Sequence, residues 1–219
     1  MHGTGVDVWW AAPVDPATAP GLVAHLDGHE RDRMARFRRP ADSARYLAAH
    51  ALTRLVLGVA AAADVFDRTC RCGEQHGKPV LPGGPAFSFT HAGRFVGVAL
   101  SAQGPVGLDV EQARPMADLA AMARHIGAPA DTDGFFRAWT RKEALLKATG
   151  EGLSSPMDAI VLDEDGVASW AGGPPEPVWL RDLDPASGYP AAVAGLGPEP
   201  TEVRRHDGVA VLRSVIAAG

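Results

Sequence analysis

The chain opens on an apolar run, Val6 to Ala11, closed by Pro13, which predicts a strand. Apolar positions then recur at helical spacing over 20–37, interrupted by Gly28, and over 40–63. In the second stretch Tyr46, Leu47, Leu52, Leu55 and Val56 keep one broad face apolar. A Gly- and Pro-rich loop runs over 70–85, and two short strands follow at 86–91 and 94–101, turned at Ala92-Gly93 like a hairpin. Gln103-Gly104-Pro105 breaks the pattern, and the order starts again with a strand at 106–111, a short helix at 116–126 and a longer one at 133–149. Asp133 is the candidate N-cap of that helix and Gly150 its stop. Strands are predicted at 159–162, 167–170, 178–183 and 190–196, while 208–216 fits either strand or helix. Strand, helices and strands, twice over, predict an α+β chain of two similar halves, 1–103 and 104–219.

Composition narrows the class. With 219 residues, 46% of them hydrophobic, the chain can bury a sizeable core in one large domain or two small ones. A net charge of −5, from 21 basic and 26 acidic residues, argues against a general nucleic-acid binder. The longest apolar stretches, such as 55–63, fall far short of the roughly 20 residues of a membrane span. No signal-peptide pattern opens the chain, and two cysteines make no disulfide framework, so a soluble cytoplasmic protein is expected. The basic residues are nearly all arginine; the only lysines are Lys78, Lys142 and Lys147. That bias suggests that lysine was kept where a compact ammonium is needed.

Two of these lysines fall in one of four chemistry-bearing stretches. In Val106-Gly107-Leu108-Asp109-Val110-Glu111 the two carboxylates stand at i and i+2 of a strand, on one face. Such a pair suits a hard divalent cation such as Mg²⁺, or else a solvated strand face. On the long helix Trp139, Glu143 and Lys147 stack in one stripe with Lys142 and Leu146 beside it, while Ala138, Leu145 and Ala148 form a packing stripe. Glu143 and two ammoniums on one side would hold a metal-bound phosphate; the plain alternative is a surface Glu–Lys pair. In Phe87-Ser88-Phe89-Thr90-His91 the hydroxyls of Ser88 and Thr90 share a face and His91 ends the strand, which suits an anion contact or a structural histidine. Gly77-Lys78-Pro79 in the loop before it lacks the glycine pattern and the Ser or Thr of a Walker A loop. Outside these, arginines 31, 33, 36, 38, 39 and 45 form a basic cluster fit for phosphate, an acidic protein or plain solvation. Cys70 and Cys72 with His76 hint at a metal knuckle, without the second cysteine pair of a zinc finger.

Taken in order, Gly77-Lys78-Pro79, Phe87 to His91, Gly107 to Glu111, and the run from Phe136 through Trp139, Lys142-Glu143 and Lys147 to Gly150, Gly152 and Leu153 resemble the Sfp-type 4′-phosphopantetheinyl transferases. Arg36-Phe37 followed by Asp42-Ser43-Ala44-Arg45 also looks like that family's N-terminal helical region. The resemblance implies a pseudo-twofold duplication of two α/β subdomains with coenzyme A in the cleft between them. It implies Mg²⁺-dependent transfer of the phosphopantetheine arm of coenzyme A to a serine of an apo acyl- or peptidyl-carrier protein, releasing 3′,5′-ADP. By position, Asp109, Glu111 and Glu143 would hold Mg²⁺, with Glu143 or, second, Glu111 as the base. Lys147, helped by Lys142, would stabilise the phosphoryl oxygens. Thr90, His91 and Arg45 would contact the 3′-phosphate, and Lys78 and Pro79 would line the nucleotide end. A monomer is expected, because a duplicated chain builds its cleft internally. The alternatives are a non-catalytic module binding coenzyme A or carrier proteins, and another Mg²⁺-dependent phosphoryl enzyme such as a phosphodiesterase.

Overall fold

A computed structural model describes residues 5–70, 72–150 and 155–217. Strand β1 (Gly5–Ala11) leads through a 3-10 turn into α1 (Pro20–His25), α2 (Gly28–Ala35) and α3 (Pro40–Val56), and the hairpin β2 (Ala86–Ala92) and β3 (Phe95–Ser101) completes the first half. The second begins with β4 (Val106–Val110), α4 (Leu119–Ile126) and α5 (Thr132–Thr149). The small hairpin β5 (Ile160–Leu162) and β6 (Val167–Trp170) precedes a larger one, β7 (Val178–Ala186) and β8 (Tyr189–Leu196). Strand β9 (Glu202–Asp207) and α6 (Gly208–Ile216) end the chain.

Among the boundaries that differ from the sequence expectation, three have a clear local reason. The 20–37 stretch is two helices because Asp27 caps the second: its carboxylate accepts from the Glu30 amide at 2.8 Å while Glu30 accepts from the Asp27 amide at 3.0 Å. Helix α3 stops at Val56, not at 63, because the chain folds back, with the Val59 amide donating to the Arg54 carbonyl at 3.0 Å. Asp131, not Asp133, caps α5, accepting from the Gly134 amide at 2.8 Å. The stretch 208–216 is a helix, and the strand before it, β9, has no apolar alternation to announce it.

The two halves repeat one topology. The first sheet has the order β2-β3-β1-β9 and the second β4-β8-β7, so in each the opening strand pairs antiparallel with the inner strand of a later hairpin. Strand β9 then joins β1 in parallel, Val6 opposite Val203, so 202–207 belong to the first sheet although they follow the second half in sequence. Arg204 grips Asp7 with two hydrogen bonds, at 2.7 and 2.6 Å, and His206 reaches the same carboxylate at 2.6 Å.

Three apolar clusters fill the layers. One, with Val8, Ala99, Leu108, Val110 and Val193, lies between the sheets; a second, with Leu22, Leu47, Leu52, Val98 and Leu212, lies under α1, α3 and α6. The third, with Ile126, Phe135, Leu145, Ala192 and Ala194, lies under α4 and α5. No helix among the described residues is long and apolar enough to cross a membrane.

Side chains splice the halves where backbone pairing stops. Ser88 Oγ accepts from the Leu108 amide at 3.0 Å and Thr90 Oγ1 from the Val110 amide at 3.2 Å, so β2 serves the open edge of β4 through its hydroxyls. The Ser88 and Thr90 face, read as a candidate anion contact, is therefore a buried seam, with the two residues each 5% exposed.

Candidate active site

The site forms where β4 lies on α5. A Cβ at Gly107 would stand 1.9 Å from the Ala144 carbonyl oxygen and 2.5 Å from the Ala148 amide nitrogen, so only glycine permits the approach. That contact carries Lys147, one turn after Glu143, over the end of β4. Lys147 Nζ donates to Asp109 Oδ1 at 2.6 Å and to the Leu108 carbonyl at 3.2 Å, leaving one of its three N–H donors. Thr90 Oγ1 donates to the same Asp109 oxygen at 3.2 Å.

Asp109 is 5% exposed, and its Oδ2 is buried without a hydrogen-bond partner. An unsatisfied buried acceptor costs on the order of 1–3 kcal/mol, more when charged, and no group among the described residues relieves it here. A cation fits: the neighbours Glu111 and Glu143 add only hard oxygen donors. Burial pushes all three carboxyls up. For Asp109 the Lys147 ion pair and the Thr90 bond oppose it. For Glu111 the Asp109 charge adds to it, and Arg114 opposes. For Glu143 Lys147 opposes and Asp109 adds. The three groups are thus electrostatic neighbours, yet they do not close to within 4.8 Å of one another as a ligand set. Like charges around one lysine have reason to stay apart until a cation joins them.

On the other side of β2 opens a cleft of about 710 Å³ whose walls include Arg33, Arg36, Tyr46, Pro79, Phe89 and His91. Tyr46 stacks on His50 with ring centroids 3.9 Å apart, and His50 leans on Phe89 at 4.8 Å. Below lies a buried ion network absent from the sequence reading. Arg54, fully buried, bonds Glu30 at 2.7 Å and pairs with Asp27, and Arg68 reaches Asp27 at 2.7 Å. His50 contacts Glu30 at 3.0 Å. One signal was available: Arg54 sits seven residues after Leu47, two helical turns on, within the apolar face of α3.

Arg45 and His91 come together. Arg45 donates to the Gly93 carbonyl at 3.3 Å in the β2–β3 turn and pairs with Asp42. His91 is exposed at the cleft, yet the protein on its other side lowers its pKa below the usual imidazole value, and the charges of Arg45 and Lys147 add to the effect.

Three of the expected site residues have protein partners in this structure. Lys142 is 1% exposed, and its ammonium donates to the Ile126 and Met157 carbonyls, the latter at 3.0 Å; one residue from Glu143, it has turned onto the buried face of α5. Lys78 donates to the carbonyls of Val106 and Lys147, each at 2.8 Å, tying its loop to β4 and α5. Burial, then the Lys147 charge, bring it down to about 8. Thr90 donates to Asp109 and accepts from the Val110 amide, which makes it a support of that carboxylate. Pro79 lines the cleft, and Trp139 packs on Phe135 at 5.9 Å. Arg71, and the motif residues Gly152 and Leu153, lie outside the described residues.

A family model of the 4′-phosphopantetheinyl transferase superfamily matches residues 105–194, the span that holds Asp109, Glu111, Glu143 and Lys147. The 4′-phosphopantetheinyl transferase HetI of Nostoc sp. is 30% identical over 221 residues, covering 87% of this chain and 89% of that protein. The 4′-phosphopantetheinyl transferase Sfp of Bacillus subtilis is 26% identical over 211 residues, covering 88% and 92%. The chain belongs to the 4′-phosphopantetheinyl transferase superfamily, and its α+β architecture, with two larger sheets and a small β5–β6 hairpin, is consistent with that family's fold.

Proposed function

We propose that this chain moves the 4′-phosphopantetheine arm of coenzyme A onto a serine hydroxyl of an apo acyl- or peptidyl-carrier protein, with Mg²⁺, and releases 3′,5′-ADP. The observation that carries the reading is the Asp109 carboxylate: buried, held on one oxygen by Lys147 and Thr90, and unpartnered on the other. Asp109, Glu111 and Glu143 are the residues that would hold the metal. When bound, Mg²⁺ supplies charge neutralisation at the diphosphate and polarises the phosphoryl group under attack.

The rest is work for the chain's own groups. Arg33, Arg36 and His91 at the cleft, with Arg45 at the neighbouring β2–β3 turn, receive the nucleotide and its phosphates, with Pro79 on the wall and the Tyr46–His50–Phe89 stack as an aromatic floor. The remaining N–H of Lys147 meets the phosphoryl oxygens, where a compact ammonium can serve Asp109 and the substrate at once. Glu143, its carboxyl raised by burial, takes the serine proton, directly or through a water, and Glu111 is the second candidate. Arg38 and Arg39, exposed between α2 and α3 beside the exposed Phe37, suit an acidic carrier surface. A monomer working in the cytoplasm on polyketide or nonribosomal-peptide carriers completes the reading.

Intact-mass measurement of apo carrier proteins after incubation with the protein, coenzyme A and Mg²⁺, with an EDTA arm, tests it. A phosphopantetheine gain that EDTA abolishes supports the reading. Coenzyme A binding with no gain on any carrier points to a binding module, and breakdown of coenzyme A without an acceptor to a phosphodiesterase.

A further inference from the structure

The loop between α3 and β2 holds a group that the transfer chemistry does not use. Residues 67–70 and 72–80 pair as the two arms of a narrow hairpin. Asp67 and Val80 exchange backbone hydrogen bonds at 2.9 and 2.8 Å, the Gly77 amide donates to the Arg68 carbonyl at 2.7 Å, and the Cys70 amide to the Glu74 carbonyl at 2.8 Å. The Gly73 amide closes the tip onto the Cys70 carbonyl at 2.8 Å, with Gly73 at φ +88°. At this tip the donor atoms of Cys70, Cys72 and His76 lie within 4.8 Å of one another, the only such group of three among the described residues. Cys72 Sγ and His76 Nε2 are 3.1 Å apart, and neither cysteine is in a disulfide.

We propose that Cys70, Cys72 and His76 bind one Zn²⁺ ion, with water in the fourth position. On one tetrahedral zinc, with bonds of roughly 2.3 Å to sulfur and 2.0–2.1 Å to nitrogen, a sulfur and a nitrogen stand about 3.6 Å apart and two sulfurs about 3.8 Å. The Cys72–His76 spacing of 3.1 Å needs to open by about half an ångström, and Cys70, within 4.8 Å of both, needs to close by at most about 1 Å. Two thiolates and an imidazole select a borderline-soft cation, whereas the Asp109 group offers oxygen alone, so the two sites sort Zn²⁺ from Mg²⁺ by donor chemistry. On binding, both thiols lose their protons and the imidazole ligates in its neutral form.

The hairpin itself gives a reason for the ion. Cys72, Gly73, Glu74, Gln75 and His76 are all exposed, so the tip buries no apolar residue to hold its shape. Glu74, Gln75, His76 and Gly77 nonetheless line the 710 Å³ cleft. A zinc clip across the tip fixes that wall, acting on the cleft through the loop and not on the reacting atoms. The inference goes beyond the transferase reading, and its test needs no turnover.

The test is metal content and cobalt spectroscopy of the full chain. Protein grown with zinc and desalted over a chelating resin is expected to carry one zinc per chain, and Cys70→Ser/Cys72→Ser to lose it. The reduced, metal-free wild type titrated with Co²⁺ is expected to develop thiolate-to-cobalt charge-transfer bands that saturate at one equivalent and collapse on adding Zn²⁺. Because the titration uses the wild type, a misfolded variant does not decide the matter, and circular dichroism of the double variant shows whether its loss is local. Failure of the reduced wild type to take up one equivalent of Co²⁺, or equal uptake by the folded double variant, overturns the proposal. So does an isolated chain two hydrogens lighter, closed as a Cys70–Cys72 disulfide, that binds no metal after reduction.

Discussion

Gly107 on β4 lies so close to Ala144 on α5 that a Cβ added to it would stand 1.9 Å from the Ala144 carbonyl oxygen. The obstacle is helix backbone, which cannot turn aside as a side chain can. Gly107→Ala must therefore part strand from helix, and with them Asp109 from Lys147. Overpacking of this kind costs about 1–3 kcal/mol, or more where backbone must move. Urea unfolding of the variant should show that loss, and carrier modification should fall further than stability alone explains. A variant with wild-type stability and turnover would refute the account of how the site is held together.

Glu143→Gln keeps the shape of the side chain and removes its basicity. If Glu143 takes the serine proton, turnover drops by about 10²–10⁴, the usual worth of a general base. Binding of coenzyme A to the Arg33 and Arg36 side of the cleft stays within a few-fold of wild type, since Glu143 does not line it. Single-turnover mass measurements at saturating Mg²⁺ separate this from simple metal loss. If excess Mg²⁺ restores the rate, Glu143 is a ligand and Glu111 becomes the base to test.

What could be read in advance was what periodicity reports. Period two put Asp109 and Glu111 on one face, and a 3.6-residue period put Glu143 and Lys147 on one stripe; in the structure Lys147 bonds Asp109, and both glutamates feel the charges of that pair. Periodicity names a face but not what the face meets. Thr90 stood on the polar face of β2, and only the fold shows that this face abuts β4. Lys142 looked equivalent to Lys147, but a charged side chain can be buried if carbonyls receive it, and two do. Strand β9 carries Glu202, Arg204, Arg205, His206 and Asp207, a polar run held to β1 by parallel pairing and by Asp7, far away in sequence. The ion network of Asp27, Glu30, Arg54 and Arg68 is likewise drawn from three separate segments. Long-range partnership is what a single sequence withholds.

Thr90 separates these two kinds of information experimentally. Its hydroxyl donates to Asp109 and accepts from the Val110 amide. Thr90→Val keeps the volume and leaves both groups short of a partner, at a cost of about 1–3 kcal/mol in stability. The Mg²⁺ concentration needed for half-maximal turnover should rise, because Asp109 loses one of its two holders. Thr90→Ser restores both bonds and should return stability and Mg²⁺ requirement together. If Thr90→Val instead weakens only coenzyme A binding, with stability intact, the hydroxyl is an anion contact after all.

The network beneath the cleft predicts a pH dependence with a definite sign. Burial alone would raise the Glu30 carboxyl, but the bonds and charges of His50 and Arg54 outweigh it and hold the group at about 2. Its folded pKa thus lies below its value in an unfolded chain, about 4.3–4.5. A depressed carboxylate stabilises the fold fully above the unfolded value, and that contribution is lost as pH falls toward the folded one. A gap of about 2.5 units corresponds to roughly 3 kcal/mol, an order-of-magnitude figure for so coupled a group. Glu30→Gln abolishes this titration and leaves Arg54 and Arg68 with Asp27 as their shared carboxylate, which is strongly destabilising at neutral pH, by about 3–5 kcal/mol. The stability difference between wild type and Glu30→Gln, from urea unfolding, should be largest near pH 5. Below about 4.5 it should shrink by up to about 1.4 kcal/mol per pH unit, because Glu30 takes up a proton in the unfolded chain while it stays ionised in the folded one. A difference that stays flat down to pH 3.5, or grows, would mean that Glu30 is not the charge holding Arg54 and Arg68 beneath the cleft.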